Sequence, residues 1–125
     1  MPRRKKLPDR VLLAAAAAAA LFVSPGVSAQ GKLPPYPEAL RCAALTSAAA
    51  NLGKSSPQAS QLFDHQIYWS MAAADSGRAA GKAARAVETE VRSGATAAEA
   101  RLRSQDGATT AALADCVRRV PALND

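Results

Sequence analysis

The stretch Pro37-Glu38-Ala39-Leu40-Arg41-Cys42-Ala43-Ala44-Leu45-Thr46-Ser47-Ala48-Ala49-Ala50-Asn51-Leu52-Gly53 reads as one complete helix with its own start and stop. Proline suits a first turn, Glu38 complements the positive amino end, and a glycine after the last apolar residue ends the run. On a 3.6-residue wheel Cys42, Leu45, Ala48, Ala49 and Leu52 fall on one side, which predicts a buried stripe with Cys42 on it.

The next start signal is Ser56 capping ahead of Pro57, or Ser55 in a capping box with Gln58. In the second helix Ala59, Leu62, Phe63, Gln66, Ile67, Ser70 and Ala74 share a face, predicted to be the densest part of the core. Asp75-Ser76-Gly77 is expected to interrupt this helix, although one glycine costs only about 1 kcal/mol and a continuous rod into the next segment is the alternative. Residues 78–92 form a two-faced helix with Ala80, Ala83, Ala84, Val87 and Val91 inward. Ser93-Gly94 is expected to end it, and Thr96 with Glu99 makes a capping box for a short fourth helix. After a turn at Asp106-Gly107, a last helix carries Ala112, Leu113, Cys116, Val117 and Val120 on one stripe until Pro121. No window alternates with period two, so the expected fold is all-α, a small bundle of four to five helices.

Before this domain stands an export pattern. Arg3, Arg4, Lys5 and Lys6 give a basic start, Val11 to Val23 is an apolar run of 13 residues with seven consecutive alanines, and Val27-Ser28-Ala29 fits the small-residue rule for cleavage. The run is shorter than the roughly 20 residues of a membrane span. The expectation is a signal peptide over residues 1–29 cleaved after Ala29, a periplasmic location, no transmembrane segment after cleavage, a flexible lead-in over 30–37 and a single helical domain over 38–123. The formal charge of +6 then falls to +2, because 11 Lys and Arg face 9 Asp and Glu after residue 29. That near balance removes the whole-domain argument for nucleic-acid binding.

Large apolar residues are scarce. After residue 29 the residues Val, Ile, Leu, Met, Phe, Tyr and Trp number 18, against 24 alanines. Such a core consists mostly of small residues in close approach and needs a staple. The two cysteines, Cys42 and Cys116, supply one, since an oxidising compartment favours their pairing. Closing a loop of 74 positions is worth roughly 4 kcal/mol in loop-closure entropy.

The catalytic inventory is short: one histidine, His65, and no Cys-x-x-Cys. Glu88 and Glu90, two apart on a helix, point in different directions and make a poor carboxylate dyad. His65 and Met71 are both copper-ligand types, but they stand about 120° apart on a helix with no third ligand in view. No enzymatic activity, metal or cofactor is expected. Two surfaces remain as candidates. His65, Tyr68 and Met71 lie off the main apolar face of the second helix and could dock another periplasmic protein. Arg78, Lys82, Arg85 and Arg92 span an arc of about 80° on an ideal helix and could meet an anionic envelope component.

Pro37-Glu38-Ala39-Leu40-Arg41-Cys42-Ala43, Phe63-Asp64 through Trp69-Ser70-Met71-Ala72-Ala73, and Ala114-Asp115-Cys116 together resemble small exported helical proteins of Gram-negative bacteria that have no assigned function. A looser resemblance, of class alone, is to the periplasmic acid-stress chaperones, which are small, helical and tied by one disulfide. Neither resemblance implies a catalytic residue. The expected function is non-enzymatic, a binding or stress-related protein acting through the aromatic helix surface, with an envelope-associated structural role for the basic face as the alternative.

Overall fold

The computed structural model describes residues 33–121, in which four α-helices and no strand occur. The expected signal peptide and its cleavage site, residues 30–32 of the expected lead-in and residues 122–125 lie outside the described residues. Helix α1 spans Tyr36–Leu52, α2 Ala59–Ala79, α3 Ala84–Arg103 and α4 Gly107–Arg118. The all-α bundle expected from the sequence is therefore present.

Helix α1 is the axis of the bundle, packed against each of the other three. Every residue from Cys42 to Ala48 is buried, so α1 has no solvated face along two turns. This differs from the single stripe predicted for it, and Leu52, placed on that stripe, is exposed. The side chains explain the encirclement: apart from Leu45, the run Cys42-Ala43-Ala44-Leu45-Thr46-Ser47-Ala48 is small enough for helices to approach from several directions. Its one fully buried hydroxyl is satisfied locally, Thr46 Oγ1 donating to the Cys42 carbonyl at 2.7 Å. The helix starts at Tyr36, so the last two residues of the expected lead-in belong to α1, and Tyr36 itself is in the core. Ser76 Oγ donates to the Pro34 carbonyl at 2.9 Å, tying the residues just before α1 to α2.

Two glycines expected to end helices instead lie inside them. Gly77 sits in α2 where a Cβ would stand 2.5 Å from Val87 Cγ2 and 3.2 Å from the Tyr36 ring. Gly94 sits in α3 where a Cβ would stand 2.9 Å from the Cβ of Ala44. Both mark close helix crossings, so Asp75-Ser76-Gly77 does not interrupt α2 and Ser93-Gly94 does not end α3. The segments expected as a third and a short fourth helix are one helix, within which Thr96 Oγ1 donates back to the Arg92 carbonyl rather than capping. Helices α2 and α3 are separated by a turn at residues 80–83. There Gly81 takes φ +82°, its N–H reaching the Arg78 carbonyl at 3.0 Å and the Lys82 N–H the Gly77 carbonyl at 2.8 Å, the paired bonds of a Schellman ending. The same pair of bonds closes α3 around Gln105, with φ +59°. The next residue, Asp106, caps α4 by accepting from Thr109 N at 2.9 Å and Thr109 Oγ1 at 2.6 Å. The start of α2 also differs from expectation: Ser56 shapes the turn before it, accepting from Gln58 N at 3.2 Å, and the helix begins at Ala59.

Cys42 and Cys116 form the disulfide, joining α1 to α4, and both are fully buried. Trp69 of α2 covers the same region, its indole N–H donating to the Cys116 carbonyl at 2.9 Å. Arg119 completes the assembly: its guanidinium stacks 5.0 Å from the Trp69 ring centroid, pairs with Glu38 and with Asp115 at 3.3 Å, and approaches Cys42 Sγ at 3.3 Å. One cation thus holds the beginning of α1, the end of α4 and the aromatic ring of α2.

Two stability outcomes follow from this packing. Replacing both cysteines by serine is expected to remove about 4 kcal/mol of loop-closure stabilisation and to broaden or abolish cooperative thermal unfolding, read by circular dichroism. Gly77→Ala gains about 1 kcal/mol of helix propensity but overpacks the Tyr36 and Val87 contact at a cost of about 1–3 kcal/mol, so a lowered Tm is expected.

Candidate functional site

The large apolar side chains of α2 divide between two faces. Toward the core it turns Trp69, Ala73, Ser76 and Gly77, all buried, with Tyr68 and Ala72 packed against them. Outward it turns Phe63, Ile67 and Met71, which are 56%, 42% and 62% exposed. The face predicted to be the densest core therefore stands in solvent over much of its length, and Ala74, on the same face, is exposed too. The physical reason lies in the approach distance. A helix that must come close to Tyr36 and Val87 at Gly77, and cover the disulfide with Trp69, is fixed in rotation by those contacts. Phe63 and Ile67 lie about a third of a turn away from that face.

Beside this outward face a cleft of about 450 Å³ opens between α2 and α3, with α1 as its floor. Ala74, Val87, Val91 and Ala95 give it apolar walls, Ser47 and Asn51 of α1 lie at the floor, and Gln66, Ser70, Glu88 and Arg92 supply polar groups. The cleft exists because α2 and α3 pack mainly on α1 and only sparsely on each other. Asn51 is already engaged, donating to Glu99 Oε2 at 3.0 Å. A second cleft, of about 440 Å³, lies on the other side of α1 against α3 and α4, where Glu90 and Asp106 are both committed to structural hydrogen bonds.

Of the residues predicted to form a partner surface, the structure keeps Met71 on the exterior and draws the other two inward. Tyr68 is half-buried and meets Trp69 edge-to-face, with centroids 5.3 Å apart. His65 is half-buried beside a void of about 30 Å³ shared with Thr46, Leu62 and Leu113, and its Nδ1 is buried with no hydrogen-bond partner among the described residues. Phe63 and Ile67 belong to the exposed face and had been assigned to the core. The available signal was their spacing with Met71 at every fourth residue, which marks a helical ridge without saying which way it faces.

The predicted basic stripe is not one helix face. Arg78 lies near the end of α2, Lys82 in the turn, and Arg85 and Arg92 on α3. Arg78 pairs with Asp75 at 3.1 Å, Arg92 with Glu88 at 3.4 Å and Lys82 with Glu90 at 2.9 Å, leaving Arg85 without an ion pair among the described residues. Among the described residues no group of three His, Cys, Asp or Glu side chains is placed to hold a metal ion. Also among them, no helix is long and apolar enough to cross a membrane.

Tyr36, Lys82 and Glu90 form a second electrostatic cluster, with Lys82 Nζ 2.9 Å from Glu90 Oε2. Tyr36 donates its hydroxyl to Glu90 Oε1 at 2.8 Å, and the Lys82 ammonium lies 5.1 Å from the Tyr36 ring centroid. Burial, reinforced by the hydrogen bond to Glu90 and its charge, pushes the Tyr36 phenol up to about 12. Hydrogen bonds from Lys82 and then Tyr36 hold the Glu90 carboxyl below its ordinary value. Those from Thr109 do the same for Asp106. A phenol whose pKa is raised by folding stabilises the fold below the unfolded value of 10 and loses that contribution as pH climbs toward about 12. Carboxylates lowered by folding act in the opposite sense, stabilising above their ordinary pKa and losing it as pH falls through the depressed values. In thermal melts against pH, Tyr36→Phe is therefore expected to flatten the alkaline limb between pH 10 and about 12, and Asp106→Asn the acid limb.

Comparison with known protein families, with characterised proteins and with solved structures finds no match for this chain.

Proposed function

We propose that this is an exported, periplasmic, non-enzymatic binding protein that recognises an apolar, helix-forming segment of another protein along the outward face of α2. The observation that carries the reading is the exposure of Phe63, Ile67 and Met71 on successive turns of one helix. In a chain whose core is built largely of alanine, burying each such side chain would add about 1.5–3 kcal/mol to stability. The anchoring of α2 turns these three positions outward, but nothing in the packing requires them to carry large apolar side chains.

Apolar anchors at every fourth residue match the way helices are read by grooves and by other helices. A partner segment lying along α2 would cover Phe63, Ile67 and Met71 and pass beside the α2–α3 cleft, where Val87 and Val91 extend the apolar surface. Ser70 of α2 and the Glu88–Arg92 pair of α3 provide polar groups at the margin that can fix its register. Methionine and phenylalanine adapt to varied partners, which suits recognition of apolar segments as a class rather than of one sequence.

The test is titration of the purified protein against a reduced and alkylated, permanently unfolded polypeptide, followed by fluorescence anisotropy. Combining Phe63→Asp with Met71→Asp is expected to weaken binding at least about tenfold, the equivalent of losing one buried apolar side chain. Its helical circular dichroism and Tm should be unchanged, because both side chains are already exposed. Equal binding by the variant and the original protein would remove the proposal.

A further inference from the structure

The outward face of α2 has a second property: it is a palindrome. Its solvent-facing positions include Ser60, Phe63, Ile67, Met71 and Ala74, which read small, large, branched, large, small about Ile67 at the centre. We propose that this face is the two-fold interface of a reversible homodimer, in which two copies of α2 pack antiparallel across an axis passing through Ile67. The proposal rests on the reading of α2 as a recognition face and names a second copy of this chain as its occupant.

A two-fold contact must be self-complementary, because each residue meets the one related to it through the axis. Antiparallel pairing about Ile67 sets Phe63 against Met71 of the other copy, a sulfur–aromatic contact, and Ser60 against Ala74, so large faces large and small faces small. The charges on this side agree with the same arrangement. Asp64 falls opposite Ser70, and Arg78, already paired with Asp75, extends past the amino end of the other copy's α2, so no like charges meet. A parallel pairing would set Asp64 against Asp64 and align the two helix dipoles, both unfavourable.

The seam runs over 15 residues, about 22 Å of helix at 1.5 Å per residue. One helix face of that length offers less than the roughly 800 Å² per partner of a stable interface. The dimer is therefore weak and concentration-dependent, with apolar surface sealed at high concentration and open when dilute. That places self-association in competition with any other segment that docks on α2.

Sedimentation velocity from about 10 μM to about 1 mM is expected to show a monomer moving reversibly toward dimer, in the range of weak interfaces. Ile67→Asp, which would bring two carboxylates together on the axis, should stay monomeric throughout with unchanged helicity. Oxidative crosslinking tests the geometry. Ile67→Cys should link to itself, while Phe63→Cys should link to Met71→Cys in a mixture faster than to itself. Ala111→Cys, exposed on α4, serves as the control. A protein monomeric at about 1 mM, or Ile67→Cys crosslinking no faster than that control, overturns the dimer. Phe63→Cys linking to itself faster than to Met71→Cys overturns the antiparallel axis.

The polypeptide titration separates the two proposals. If the protein is monomeric yet Phe63→Asp with Met71→Asp still abolishes polypeptide binding, only the dimer fails. If Ile67→Asp abolishes the dimer while polypeptide binding survives in every α2 variant, the binding reading fails and the interface stands.

Discussion

A helix enclosed by three others cannot carry large side chains around its circumference, because the axes of packed helices lie only about 8–10 Å apart. Helix α1 meets that constraint with alanine, serine and threonine over most of Cys42–Ala48, and the arrangement of the bundle depends on it. The approach must also be close on the other side, which is why Gly94 of α3 meets Ala44 and why Gly77 of α2 lies over Tyr36 and Val87. Small residues that make weak cores when packed loosely make adequate ones here, because contact distance compensates for side-chain size.

Close packing of small groups still buries modest apolar area, and the disulfide with its surroundings makes up part of the difference. The bond from Cys42 to Cys116 fixes α4 to the central helix, and Trp69 brings α2 to the same point through its hydrogen bond to the Cys116 carbonyl. Arg119 bridges Glu38, Asp115 and the indole face, so covalent, aromatic and ionic contacts converge on one end of the bundle. The same amino-terminal end of α1 is held from another side by Tyr36, Glu90 and Lys82, with Ser76 reaching back to Pro34. Farther along α1, at Ser47 and Asn51, α2 and α3 leave the cleft above it.

The rotation of α2 connects this packing to the proposed binding surface. Once Trp69 and Gly77 are fixed against the core, Phe63, Ile67 and Met71 have no neighbour in the described bundle that could cover them. The exposed ridge is a consequence of how the helix is anchored, and it supplies the largest apolar groups available for contact with another chain. The basic groups first read as a separate surface are instead distributed over α2, a turn and α3, and most are neutralised by adjacent carboxylates.

Helical class, the extent of α1 and the pairing of Cys42 with Cys116 were legible in the sequence, because alanine content, a proline start, a glycine stop and two lone cysteines are local or countable signals. The last helix was equally readable, since Cys116 and its stripe needed no partner to define them. Periodicity misassigned α2: a 3.6-residue repeat identifies which residues share a face, and both of its faces carry large side chains. Which one turns inward was decided by Gly77, Trp69 and the disulfide, all of which act between segments distant in sequence. Gly77 and Gly94 were misread for the same reason, since a glycine that ends a helix and one that admits a neighbouring helix are identical in one dimension. The sequence thus determined which segments are helices and which cysteines join them. Only the tertiary structure decided which faces meet, because that choice is set by the distance at which backbones can approach.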